Sequence, residues 1–136
     1  MGVLNAIIKS ERIMKERGWD YVFYFFDIHE TILYPDWNNK EELRFYENAK
    51  ETLQLISKRD DIIMCTYTCS YPEQINRYVE FFKTHDIEFK YLNKNPEVSN
   101  TTYGYYEDKP YFNVLFEDKA GFDADEEWKE VYKYFK

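Results

Sequence analysis

Residues 21–33 read YVFYFFDIHETIL. An aromatic and β-branched run stops at Asp27, and Thr31 follows four positions later. Continuous apolar runs of this length, bounded by a turn-forming residue, are the pattern of a strand buried on both faces. Such a strand in an open α/β sheet delivers its next residue to the edge where ligands bind. Asp27 is therefore a candidate site residue. The bland alternative is an aspartate that only starts a turn.

The flanking sequence builds out from that strand. Residues 3–17 predict an amphipathic helix with Leu4, Ile7, Ile8 and Met14 on one side, ended by Gly18. Residues 34–40, YPDWNNK, predict a loop. Residues 41–57 predict a helix with Tyr46, Ala49, Leu53 and Ile56 at helical spacing, and 61–66 a second, short apolar strand. Ser70-Tyr71-Pro72-Glu73 has the S-x-x-E form of a capping box, with Pro in the first turn of a helix carrying Ile75, Tyr78, Val79 and Phe82. Residues 87–92 predict a third strand, 93–109 a long polar loop, 111–116 a fourth strand and 123–135 a closing helix. Strands alternating with helices predict an α/β fold, a single three-layer Rossmann-like domain with a doubly wound parallel sheet. Right-handed crossovers then bring the C-terminal ends of the strands to one edge. Asp27, Thr66 and Asp118 converge there.

At 136 residues the chain is long enough for one domain with a real core. Its net charge of −8 argues against non-specific binding to nucleic acid. Small phosphorylated substrates remain open to it, because a divalent cation reverses the field locally. Aromatics are 21% of residues, with 14 Tyr and 11 Phe, which points to an aromatic-filled core with Tyr at its margins. Cys65 and Cys69 lack the further Cys or His partners of a zinc site. The first 18 residues break their apolar stretch with charges, so they do not read as a signal peptide, and no run reaches transmembrane length. The expectation is a soluble cytoplasmic protein without membrane association.

Four segments in order resemble the motifs of the haloacid dehalogenase-like phosphatases, over about residues 19–125. Asp27-Ile28-His29-Glu30-Thr31 looks like their DxDxT; Thr66 follows an apolar strand; Lys109 precedes the fourth strand; Glu117-Asp118, with Asp123 beyond, looks like the acidic last motif. The arrangement is similar to that of the small nucleotidase-like members with minimal or no cap. The resemblance implies a Mg²⁺-dependent phosphoric monoester hydrolase. Asp27 would attack phosphorus and form an aspartyl-phosphate. Mg²⁺ would be held by Asp27, the backbone carbonyl of His29, and Asp118 or Glu117. Thr66 would donate its hydroxyl to a phosphoryl oxygen, and Lys109 would neutralise charge on the transferring group.

The residues leave alternatives. Thr66 also reads as an ordinary strand-end threonine, and Thr68 is a rival for its role. Lys109 also reads as a solvated loop lysine, with Lys90 and Lys94 as more distant competitors. Glu117 and Asp118 repel each other unless a cation or exposure relieves them. Asp123 fits the N-cap of the last helix as well as a metal role. His29 stands where the family has its second aspartate. It is either a substitute acid/base, which imidazole chemistry allows near neutral pH, or the mark of an impaired domain that binds a phosphorylated ligand or a protein partner. The loops 34–40 and 93–109 are too short for a cap domain, so the expected site is open and admits small phosphorylated substrates, nucleotides among them. Tyr103, Tyr105 and Tyr106 fit either stacking on a base or packing the loop, and Tyr67 and Tyr71 are nearer to Thr66.

Overall fold

The computed structural model describes residues 2–35, 43–101, 104–106 and 108–136. Among the described residues, four helices and four strands follow in the order α1 (Val3–Arg17), β1 (Val22–Phe26), α2 (Ala49–Ser57), β2 (Ile62–Thr66), α3 (Pro72–Lys83), β3 (Tyr91–Leu92), β4 (Val114–Phe116) and α4 (Glu127–Phe135), with no helix between β3 and β4. The sheet is all parallel, in the order β3-β2-β1-β4. This is an α/β fold of Rossmann-like type. β1 is central and every one of its residues is buried.

The pleat of β1 splits the core in two. Val22, Tyr24 and Phe26 point to one face and join a cluster to which all four helices contribute, among them Ile7, Leu53, Phe82 and Trp128. Phe23 and Phe25 point to the other face, with Cys65. Val98, Tyr111 and Phe112, from the segment between β3 and β4, pack on that second cluster. The strand order reverses direction at β1, as in a doubly wound sheet, but the expected three layers are corrected to two: among the described residues no helix packs on the cluster of Phe23 and Phe25. The segment that would supply one lacks a 3.6-residue apolar period, and it covers the sheet with scattered aromatic side chains instead.

Several elements are shorter than expected, each because the backbone finds another partner. The helix expected from 41 begins only at Ala49. Residues 44–46 lie antiparallel to 32–34, with Tyr34 N–H bonded to the Arg44 carbonyl at 2.9 Å and Tyr46 N–H to that of Ile32 at 3.0 Å. Asn48, at φ 69°, then turns the chain into α2. Residues 36–42, most of the expected 34–40 loop, lie outside the described residues. In the expected 87–92 strand, Ile87 and Phe89 are buried, but Ile87 N–H bonds the Phe82 carbonyl and Glu88 N–H the Ser57 hydroxyl. Only Tyr91 and Leu92 join the ladder. In the fourth strand the Asn113 side chain accepts from Phe23 N–H at 2.8 Å, so regular pairing waits until Val114.

The helix termini show the same local competition. Gly18, at φ 67°, ends α1 in the left-handed conformation that glycine adopts without strain. α3 begins one residue later than the S-x-x-E reading, with Tyr71 as N-cap and Gln74 accepting from its N–H at 3.0 Å. Ser70 instead pairs its hydroxyl with that of Thr68 at 2.9 Å. Asp123 is not the cap of α4, which starts at Glu127. Its carboxylate accepts from Asp125 N–H at 3.0 Å, forming a turn ahead of the helix.

Candidate active site at the carboxyl edge of the sheet

Register sets the site. Phe26 lies level with Thr66 on one side and with Phe116 on the other. The next residues therefore leave the sheet together. Asp27 N–H bonds the Phe116 carbonyl at 2.8 Å, and Tyr67 N–H bonds that of Phe26 at 2.7 Å. Beneath this edge the rings of Phe26 and Phe116 stack with centroids 4.4 Å apart, and Trp128 stacks on Phe116 at 5.5 Å. Each such pair is worth about 0.5–1.5 kcal/mol beyond its burial. The site thus stands on a rigid aromatic floor.

Asp27, Glu117 and Asp118 meet there. Each offers a carboxylate oxygen, and these atoms lie within 4.8 Å of one another. All three side chains are partly buried. Glu117 also accepts from Lys119 N–H at 3.1 Å, which starts a 3₁₀ turn over Asp118–Ala120 and holds the acidic pair in place. Asp27 accepts from the N–H of Ile28 at 2.8 Å. Its pKa is nonetheless pushed up to about 7, first by burial, then by the charges of Glu117 and Asp118 and a hydrogen bond to Asp118; the Ile28 N–H works the other way. Two oxygens on one Mg²⁺ are roughly 3 to 4 Å apart, at Mg–O distances near 2.1 Å. The all-carboxylate donor set and its spacing fit such a hard cation, and the crowding of negative charge is what a cation would relieve.

The loop after Asp27 is tightly wound. Thr31, Ile32 and Leu33 all direct their N–H groups to the Ile28 carbonyl. Trp128 Nε1–H bonds the Thr31 carbonyl at 2.6 Å, tying the loop to α4. The Thr31 hydroxyl is fully buried and has no hydrogen-bond partner among the described residues.

The other expected residues are placed differently. His29 is half-buried, and its Nε2 lies 2.7 Å from the Tyr78 hydroxyl on α3, with the two rings edge to face. Thr66 sits at the expected edge but is fully buried, its hydroxyl accepting from Asn93 N–H at 3.2 Å and facing Asn93 Oδ1 at 3.4 Å. Asn93 also accepts from Thr68 N–H and donates to the Thr68 carbonyl, both at 2.8 Å. Lys109 is exposed and forms no ion pair with the three carboxylates among the described residues. Lys90 instead pairs with Glu97 at 3.3 Å. Tyr67 and Tyr71 are exposed, and Tyr67 packs on Phe25 and Phe112. Tyr106 packs edge to face on Tyr111, Tyr105 is exposed, and Tyr103 lies outside the described residues.

Two residues that sequence reasoning passed over hold this edge together. Tyr78 reads as one more apolar position of α3, and only its hydroxyl shows that it faces a polar neighbour. Asn93, at φ 58°, clamps the ends of β2 and β3. Its signal was faint: asparagine is among the few residues that tolerate the left-handed region.

No family model matches the chain, and no curated protein sequence does. A solved structure, that of a conserved protein of Bacteroides thetaiotaomicron, is similar in fold. It covers 83% of this chain and 88% of its own at 16% identity, with a TM-score of 0.63. Among the described residues no helix is long and apolar enough to cross a membrane.

Proposed function

We propose that the protein is a Mg²⁺-dependent phosphoric monoester hydrolase of haloacid dehalogenase-like type. The observation that carries this reading is the meeting of Asp27, Glu117 and Asp118 at the carboxyl edge of a parallel sheet. In this reading Asp27 is the nucleophile. Its carboxylate oxygen forms a bond to phosphorus while the ester P–O bond breaks, and the leaving oxygen takes that electron pair and a proton. Water then cleaves the aspartyl-phosphate, releasing inorganic phosphate and restoring Asp27. Asp27, the backbone carbonyl of His29, and Asp118 or Glu117 would hold the cation. A bound Mg²⁺ would screen the repulsion between carboxylate and phosphate and favour the ionised form of Asp27. His29 is the acid/base closest in sequence to the nucleophile. The site takes small phosphorylated substrates, nucleotides included.

A second reading has its own observation. The Thr66 hydroxyl is committed to Asn93, His29 Nε2 to Tyr78, and Lys109 is exposed. A domain so arranged binds a phosphorylated ligand or a protein partner without fast turnover.

Hydrolysis of an aryl phosphate, with and without Mg²⁺, separates the two. Metal-dependent turnover that disappears in Asp27→Asn supports the hydrolase. Turnover only in His29→Asp identifies an intact site disarmed at one position. Inactivity of both, with phosphate still bound, supports the binding domain.

A further inference from the structure

At the opposite end of β1 lies a second concave feature. A groove of about 640 Å³ opens between the α1–β1 connection and the segment before β4. Its walls include Arg17, Trp19, Asp20, Tyr21, Glu97 and Tyr106. Its lining residue nearest to Asp27 along β1 is Phe23, four residues before it and so roughly 13 Å away at about 3.3 Å per residue. It is therefore independent of the carboxylate cluster.

The chemistry of these walls favours a planar cation. Arg17 already places its guanidinium over the Trp19 ring, 5.4 Å from the centroid. The negative face of an indole is the strongest aromatic partner for such a group. Glu97 is held in place by the hydroxyls of Tyr21 at 2.7 Å and Tyr91 at 2.5 Å and by Lys90 at 3.3 Å. These partners keep its carboxyl below the usual glutamate range, so it stays charged. Asp20 is exposed and is in no ion pair among the described residues. A chain of net charge −8 adds a long-range attraction for basic partners.

We propose that this groove receives an arginine side chain of a partner protein, its guanidinium against the Trp19 ring and paired with Asp20. Arginine suits the walls better than lysine because its flat fork stacks and pairs with a carboxylate at the same time. Arg17 is then a built-in competitor that holds the ring while the partner is absent.

The test uses the full chain and a short peptide, acetyl-Gly-Arg-Gly-amide, against its citrulline counterpart, which keeps the shape and loses the charge. Binding is followed by the indole N–H resonance of Trp19. Saturable shifts with the arginine peptide alone are expected. Arg17→Ala should tighten binding and Asp20→Asn weaken it, each by roughly three- to tenfold. Both residues are exposed, so both variants should fold. Equal shifts with citrulline, no saturation at millimolar peptide, or weaker binding in Arg17→Ala would overturn the proposal.

Discussion

His29 Nε2 and the Tyr78 hydroxyl stand 2.7 Å apart, joining the loop after Asp27 to the buried face of α3. Tyr78 is fully buried, so the partner that imidazole meets is fixed in place. Whether the ring nitrogen donates or accepts follows from the tautomer, and the bond in turn biases that choice. Tyr78→Phe keeps the ring and removes the hydroxyl. It should cost roughly 0.5–1.5 kcal/mol of stability. It should also change the tautomer balance of His29, read from its ring ¹⁵N shifts. Unchanged shifts would mean that Tyr78 does not orient the imidazole.

Asp27 makes the metal-free protein pH-sensitive. Its folded pKa, about 7, lies above the ordinary 3.8 because of burial and the neighbouring Glu117 and Asp118. Between those values the folded state holds a proton that the unfolded state has released. Stability from this group is therefore present at low pH and lost as pH rises through 7. In chelator, Tm should rise as the pH is lowered from 7.5 toward 5.5. Asp27→Asn should flatten that dependence and add on the order of 1 kcal/mol at pH 7.5, a figure reduced for the partial exposure of the site. A pH trend identical in wild type and Asp27→Asn would assign it to other groups.

A cation should reverse the sign of that effect. Mg²⁺ binding only to the folded state stabilises by about 2.7 kcal/mol at a hundred times its Kd. Thermal melts across a Mg²⁺ titration should show a saturable rise in Tm. Asp118→Asn removes one of the three clustered carboxylates and should abolish most of it. Salt at matched ionic strength controls for simple screening. A rise that survives Asp118→Asn would place the ion elsewhere.

Asn93 ties Thr66 and Thr68 together across the end of β2. Asn93→Gly preserves the positive φ and removes the side-chain clamp. Its cost should be about 1–2 kcal/mol. Asn93→Ala loses the clamp and also strains the left-handed backbone, so it should be worse by roughly 1 kcal/mol. Chemical denaturation of the two variants measures both terms. Asn93→Gly keeps the backbone N–H that bonds the Thr66 oxygen and frees only the hydroxyl proton from Oδ1; if that proton serves a phosphoryl oxygen, phosphate binding by the variant should tighten.

The sequence by itself determined the α/β order, because the apolar periods of 3.6 along helices and the continuous apolar runs of β1 and β2 are local properties. It also placed Asp27 and Glu117-Asp118 at strand ends. In a parallel sheet, strand ends share one edge, which brought these three together. The tertiary structure decided which groups could stay available. Thr66 and His29 have ligand-like chemistry, but their partners, Asn93 and Tyr78, lie 27 and 49 residues away. Hydrogen bonds across such separations leave no mark in a local pattern. The layering was equally hidden. Phe23 and Phe25 require a cover, but whether a helix or a loop supplies it depends on how the β3–β4 connection packs. Val98, Tyr111 and Phe112 settle that only once the sheet beneath them exists.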